Sequence, residues 1–289
     1  MTTTHASPAD QAVLATATGQ RRLMRPGGQP RRAPLPGGRR IGGGLLGLIG
    51  LVVVLAAWQL SASLGLVDSS FSSSPAGASR ALFDMAKSGE IWPPLLSTLQ
   101  TVGIGMAISV VAGIPIGLII GRSRVLYELT EPLISIMYSV PFAVFLPIII
   151  FWFGIGGQAR IVIVVWSAIF PLLINVVTGA RNLESNYLQV ARVFCARPSL
   201  VMRAVTFPAT MPYILAGVRQ AVGRALVGAI VAELFMGNQG LGYVVQLRTS
   251  NFQMDQAMAA IVVIAILAVG LTRGVAWVER RFTFWSGSV

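Results

Sequence analysis

Six apolar stretches, each about long enough to cross a lipid bilayer, constrain this chain more than any other feature. They are Gly43–Leu66, Leu95–Ile120, Leu133–Phe153, Ala159–Val177, Tyr213–Phe235 and Met258–Trp277. A helix needs roughly 20 mainly apolar residues to cross a hydrocarbon core. The stretches are continuous and do not alternate over about ten residues, as the strands of a membrane barrel do. The sequence therefore predicts an all-α polytopic membrane protein with six transmembrane helices.

Composition and the placement of charge agree with this prediction. Only 11% of the residues are charged, against about 25% in soluble domains. The net charge of +12 comes from arginines concentrated in alternate loops: before the first stretch, after the second, between the fourth and fifth, and after the sixth. Such a bias marks the cytoplasmic side of a membrane protein. We therefore expect both termini and the loop after the fourth stretch to be cytoplasmic, and we expect no nucleic-acid partner.

The N-terminal 40 residues are rich in Thr, Ala, Pro, Gly and Arg and have no apolar periodicity. We expect residues 1–40 to form a disordered, basic cytoplasmic tail and residues 41–289 to form the six-helix membrane domain. A cleaved signal peptide is the rival interpretation, but the apolar stretch is longer than the roughly 7–15 residues of such signals.

Several kinds of catalytic chemistry lack the residues that they need. The only lysine, Lys87, has Ala81 and Ala86 where a phosphate-binding loop requires glycines, and the only histidine is His5 in the tail. One cysteine, Cys195, cannot form an intrachain disulfide. The carboxylates are scattered along the chain, so paired acid–base chemistry has no candidates. We expect neither an enzyme nor a chain that binds a cofactor or metal.

The loop of residues 186–211, between the fourth and fifth stretches, has the composition of a docking surface. Apolar residues (Tyr187, Val190, Phe194) alternate with arginines (Arg192, Arg197, Arg203), and prolines follow at Pro198, Pro208 and Pro212. This pattern predicts a short cytoplasmic helix pair that contacts a partner protein.

Three ionisable residues lie in the fifth stretch: Arg219, Arg224 and Glu233. Charged groups at membrane depth are costly and usually face a protein interior or an aqueous path. All three residues are therefore candidates for the transport pathway, and the arginines are candidates to line a route for an anion. The alternative is that Arg219 reaches the cytoplasmic surface and Arg224 pairs with a neighbouring helix. Glu233, near the outer end, fits gating and loop anchoring equally well.

The loop of residues 186–211 carries a family motif. The motif has the form E-A-A-x-x-x-G, followed by an apolar residue and a leucine–proline pair. The matching positions in the loop are Gln189-Val190-Ala191, Cys195, Val205 and Phe207-Pro208. Outside the loop, three further segments are similar to the family: Trp152-Phe153-Gly154-Ile155-Gly156, Val231-Ala232-Glu233-Leu234 and Gly240-Leu241-Gly242-Tyr243. On these motifs the chain resembles the permease subunit of binding-protein-dependent ABC importers. It is similar to the branch that imports nitrate, taurine and aliphatic sulfonates.

This resemblance implies a subunit of the bacterial cytoplasmic (inner) membrane, surrounded by lipid. Its implied partners are ABC ATPase subunits, a second permease copy or paralogue, and an extracytoplasmic solute-binding protein. The residues implied in ATPase coupling are Gln189, Val190, Ala191, Phe194, Cys195, Ala196 and Pro208. Two of them depart from the motif: Gln189 replaces the acidic residue and Cys195 replaces the glycine. The alternatives are a related permease for a pyrimidine precursor, a phosphonate or an aromatic acid, and a stand-alone carrier or channel.

Overall fold

The computed structural model describes residues 43–65, 72–183 and 193–282. The chain divides into two compact units, Met1–Val53 and Val54–Val289. In the first, the described residues belong to the beginning of one apolar helix. The second contains the end of that helix and all the other elements described below.

Every regular element of the described residues is helical. The helices are α1 Gly43–Ser63, α2 Pro75–Ser88, α3 Trp92–Arg122, α4 Arg124–Ser139, α5 Leu146–Phe153, α6 Gly157–Arg181, α7 Pro198–Met236, α8 Leu241–Ser250 and α9 Met254–Phe282. Five of them (α1, α3, α6, α7 and α9) are long and apolar enough to span a membrane, and α4 with α5 makes a sixth span if that bent pair counts as one. The predicted fold class is confirmed.

The third apolar stretch, Leu133–Phe153, is not one continuous helix. The chain bends by 89° between α4 and the segment Phe142–Phe153, which is a 3₁₀ turn followed by α5. Val140, the residue at the break, has an extended backbone (φ −73°, ψ 126°). The ring of Pro141 causes this, because a proline disfavours the helical conformation of the residue before it.

The core of the larger unit is α6, which packs between α3 and α7. Buried apolar side chains from these three helices form one cluster, including Val102, Leu172 and Ala225. Four glycines of α3, spaced four or eight residues apart, form a row along one face of the helix. Each of them faces a side chain of α6, and these side chains are spaced in the same way. The facing pairs are Gly105 with Val164, Gly113 with Leu172, Gly117 with Val176, and Gly121 with Ala180. Small residues in such a row let two membrane helices approach closely.

Two short helices lie outside the spans. The Ser74 hydroxyl accepts a hydrogen bond from the Gly77 N–H at 3.0 Å, Pro75 occupies the first turn, and Gly89 ends α2 with φ 86°. These signals delimit α2. The second of these helices, α8, also lies outside the six apolar stretches that the sequence predicted as spans. It starts at Gly240, whose φ of 99° favours glycine.

The α7 helix extends 15 residues N-terminally beyond the predicted fifth span. It starts at Pro198 in the polar loop and passes through one π-helical turn, Met202–Thr206. The turn directly precedes Pro208, which has no N–H to donate to the carbonyl four residues earlier. Instead, the Phe207 N–H donates to the Met202 carbonyl, five residues back. The loop residues from Pro198 onward and the membrane span therefore form one continuous helix.

A substitution pair on α3 tests the packing of α3 against α6. A Cβ at Gly121 would lie 2.6 Å from the Ala180 Cβ and 2.9 Å from the Val177 carbonyl oxygen, and neither atom moves without the backbone. Gly121→Ala should therefore destabilise the protein by about 1–3 kcal/mol. The matched control is Gly103→Ala, where nothing lies within 4 Å and the helix propensity of alanine adds up to about 1 kcal/mol. Thermal unfolding in detergent should shift in opposite directions; a stabilised Gly121→Ala variant would contradict this packing.

Candidate functional site

In the part of the polar loop that the structure describes, several apolar residues are exposed. Phe194 is 79% exposed, Cys195 is exposed, Ala196 is half-buried, and Pro208 lies exposed near the start of the α-helical part of α7. The other three predicted coupling residues, Gln189, Val190 and Ala191, lie outside the described residues. An exposed phenylalanine beside a helix that enters the membrane is suited to contact a partner protein.

Cys195 adopts the left-handed backbone conformation, with φ 49°. This region costs a residue with a side chain about 1–2 kcal/mol and costs glycine nothing. The family motif has glycine here. The structure therefore shows why the motif calls for glycine: the chain turns sharply at this residue before α7 begins.

Glu233 is fully buried and holds the start of α8 against α3. Its carboxylate accepts hydrogen bonds from the Thr98 hydroxyl at 2.8 and 2.9 Å and from the Gly242 N–H at 2.9 Å. The Thr98 hydroxyl in turn accepts from the Leu241 N–H at 2.9 Å. An anion at the N-terminal end of a helix is favoured by the unpaired N–H groups there. We call Thr98, Glu233, Leu241 and Gly242 the α8 anchor.

The backbone around the α8 anchor leaves no room for larger residues. A Cβ at Gly240 would collide with the Glu233 carboxylate, and one at Gly242 would lie 2.9 Å from the Glu233 Cβ. Arg160, also buried, donates to the Gln239 carbonyl at 3.3 Å. Of the two roles that the sequence left open for Glu233, this geometry favours loop anchoring.

The two arginines of the fifth apolar stretch lie in different surroundings. Arg219 pairs with Glu279 of α9 at 3.0 Å. Arg224 instead faces a cavity beside the break between α4 and α5, where its guanidinium lies 5.6 Å from the centre of the Tyr138 ring and donates to the Tyr138 hydroxyl at 3.5 Å. The structure thus separates three residues that the sequence grouped as candidates for one pathway.

Comparison with known proteins agrees with this architecture. Residues 113–284 match the family model described as "binding-protein-dependent transport system inner membrane component". The chain belongs to this family. It is therefore a permease subunit of an ABC importer in an inner membrane, as the sequence motifs predicted.

Two relatives and one solved structure illustrate how far the likeness extends. A putative aliphatic sulfonates transport permease protein of Escherichia coli is 32% identical and aligns over 81% of this chain and 89% of its own length. The taurine transport system permease protein of the same organism is 29% identical over 83% and 89%. The MetNI methionine ABC transporter in an inward facing conformation matches with a TM-score of 0.59 at 20% identity, over 65% of this chain and 94% of that one. At that identity the last match shows the fold of this permease.

Sequence reasoning missed two parts of the permease site. Thr98 gave no signal, because a threonine in an apolar stretch is common and its partner lies 135 residues away. The aromatic residues around Arg224 come from three separate helical segments, so no local pattern joins them. The signal that was available was the pair Gly240 and Gly242 just after Glu233, which indicated a close backbone approach there.

The α8 anchor predicts a sharp difference between two threonines of α3. Thr98→Val removes the donor to Glu233 and the acceptor of the Leu241 N–H, so two buried groups lose a partner at about 1–3 kcal/mol each. Thr101→Val is the control, because the Thr101 hydroxyl only bonds the Ser97 carbonyl of its own helix at 2.9 Å. Thermal unfolding of the purified permease should show a clearly lower midpoint for Thr98→Val. Equal midpoints would mean that the anchor contributes no stability.

The backbone of Cys195 predicts a ranking of three side chains. Cys195→Gly should stabilise the permease by about 1 kcal/mol by removing the left-handed strain, and Cys195→Val should destabilise it because β-branched residues tolerate this region poorly. The exposed thiol makes no packing contribution that would reverse the order. Equal unfolding midpoints for Cys195→Val and Cys195→Gly would contradict the left-handed backbone conformation at this position.

Proposed function

We propose that this permease passes a small organic or inorganic anion of the sulfonate, taurine or nitrate type across the membrane, driven by ATPase subunits that grip residues 186–211. An extracytoplasmic binding protein delivers the solute, and a second permease copy or a paralogue completes the pathway. The substrate class is supported by the names of the sulfonate and taurine relatives and by Arg224 of α7, which faces a cavity.

The observation that carries the coupling proposal is the continuity of α7. A helix that begins at Pro198, directly after the exposed Phe194 and Cys195, runs unbroken to Met236. Displacement of the loop by a closing ATPase therefore acts on the same rigid element that holds Arg219, Arg224 and Glu233. Such a closure would shift a two-state equilibrium between outward-open and inward-open arrangements.

The direction of insertion follows from the arginines. Arg122, Arg181 and Arg203 lie at the same ends of their helices as the loop before α7, and Arg280 and Arg281 close α9. The opposite loops carry few basic residues, such as Arg160. By the positive-inside bias, both termini and the loop are cytoplasmic. At the outer face, α2 and α8 then form the surface that the binding protein meets.

Two exposed phenylalanines give a matched test of the coupling surface. Phe194 lies in the loop at 79% exposure and Phe83 lies on α2 at 68% exposure. Phe194→Ala should reduce the ATPase recovered with the tagged permease from membranes, and reduce solute uptake, by at least tenfold. Phe83→Ala should leave the recovered ATPase unchanged, because α2 lies on the other side of the membrane.

Recovery experiments also separate the alternatives. Mass spectrometry of the recovered complex should identify a P-loop ATPase, and a second permease species would establish a heterodimer. Recovery of the permease alone, together with solute flux after reconstitution without ATP, would overturn the proposal in favour of a carrier or channel. Uptake of a pyrimidine precursor, a phosphonate or an aromatic acid in place of a sulfonate would change the solute only.

A further inference from the structure

Of Arg219, Arg224 and Glu233, Arg224 is the residue whose charge no oppositely charged side chain balances or helix end accepts among the described residues. Glu233 is held in the α8 anchor, and Arg219 pairs with Glu279. Arg224 has only the 3.5 Å contact with the Tyr138 hydroxyl and the face of the Tyr138 ring. A hydrogen bond of that length is weak. The guanidinium therefore keeps nearly all of its donors available.

Arg224 lies deep in the membrane, where an unpaired charge is energetically costly. It lies roughly three turns, or about 18 Å, before the end of α7 at Met236. In a hydrocarbon core about 30 Å thick, this places the guanidinium well inside the membrane. A charged group at this depth is usually paired or faces an aqueous path. An arginine in such a position fits a binding role better than a packing role.

The space in front of Arg224 is a cavity of about 270 Å³. Its wall combines the cation with aromatic rings and hydroxyl groups, from residues that include Tyr138, Ser139, Phe142, Trp166, Ser167, Phe170 and Arg224. Trp166 is held between Phe145 and Phe170, with ring centres 4.9 and 5.6 Å away. The cavity is smaller than the roughly 300–1,000 Å³ of pockets for drug-sized ligands. It therefore suits a small solute.

We propose that this cavity binds an organic anion with an apolar tail, of the alkanesulfonate type, inside the membrane. Arg224 holds the acid group, since a guanidinium presents several donors in one plane to an oxyanion. The rings of Trp166 and Phe170 cover the tail. This inference rests on the proposed function and adds to it a selectivity that favours a tailed anion over a bare inorganic one.

The cavity also lies where the pathway is able to change shape. One side of the cavity is the break between α4 and α5, with Tyr138, Ser139 and Phe142. The other side is Arg224 of α7, a helix that begins in the polar loop of residues 186–211. Movement of α7 therefore changes the distance between Arg224 and the aromatic wall. A site of this kind holds the solute in one state and releases it in the other.

The first experiment measures binding of hexanesulfonate, ethanesulfonate and nitrate to the full permease purified with its ATPase in nanodiscs. Hexanesulfonate should bind at least tenfold more tightly than nitrate. Arg224→Gln should weaken it at least tenfold and Arg224→Lys less. Arg219→Gln is the matched control and should change it less than twofold. Equal binding by wild type and Arg224→Gln, or binding of nitrate as tight as that of hexanesulfonate, would overturn the inference.

ATP hydrolysis measured on the same samples separates this inference from the proposed function. Loss of hexanesulfonate binding in Arg224→Gln with an ATPase still bound and active supports both. Normal ATP-driven uptake with unaltered binding in Arg224→Gln overturns the cavity and leaves the importer in place. Absence of any ATPase from the purified wild type overturns the proposed function. Even then, comparing hexanesulfonate binding by the wild-type permease and by Arg224→Gln still tests whether the cavity binds the anion.

A second variant does not depend on removing the arginine. Cys195 is the only cysteine of the chain, so Ser139→Cys in a Cys195→Ser background places one thiol in the cavity. Methanethiosulfonate reagents with a sulfonate tail should modify it at least fivefold faster than those with a trimethylammonium tail, and hexanesulfonate should slow the modification. Equal rates, or a faster cationic reagent, would mean that the charge of Arg224 is balanced by another group, such as a carboxylate of a second copy or a lipid headgroup, and would overturn the proposal.

Discussion

The close approach of α3 to α6 along a row of glycines is the contact on which the rest of this fold depends. In a bilayer, apolar surface gains little by leaving lipid, so helices associate through tight packing and hydrogen bonds. Gly105, Gly117 and Gly121 admit the side chains of α6 to the backbone of α3. The other face of α6 packs on α7, so the position of α7 is fixed through α6.

The charges of α7 depend on this arrangement. Glu233 reaches Thr98 only because α3 and α7 both pack near α6, and the carboxylate then caps α8 through the Gly242 N–H. Arg219 meets Glu279 on α9, and Arg224 faces the break between α4 and α5. The membrane-spanning part of α7 thus has an anchored carboxylate, a paired cation and a cation with no carboxylate partner among the described residues, in three environments that different neighbours create.

Comparison of the predicted and observed helices shows which features of the fold the hydropathy pattern alone predicts. The ends of α3, α6 and α9 lay within a few residues of the predicted ones, because long apolar runs have one stable form in lipid. The stretch around Val140 and Pro141 was apolar throughout, so hydropathy gave no sign of the 89° bend. The size of the bend depends on where α5 finds packing partners. The helix α8 was missed because its start depends on a carboxylate from α7.

The sequence by itself determined that this protein is an all-helical inner-membrane permease of the ABC importer family, because hydropathy, arginine placement and the loop motif are all local properties. It also showed that Cys195 replaces the glycine of the loop motif. Only the tertiary structure decided which polar residue does what. The environment of Glu233, Arg219 and Arg224 consists of side chains from α3, α9, α4 and α6, which are distant in sequence. Pairing in a medium without water depends on which of these groups the helix packing brings within about 3 Å.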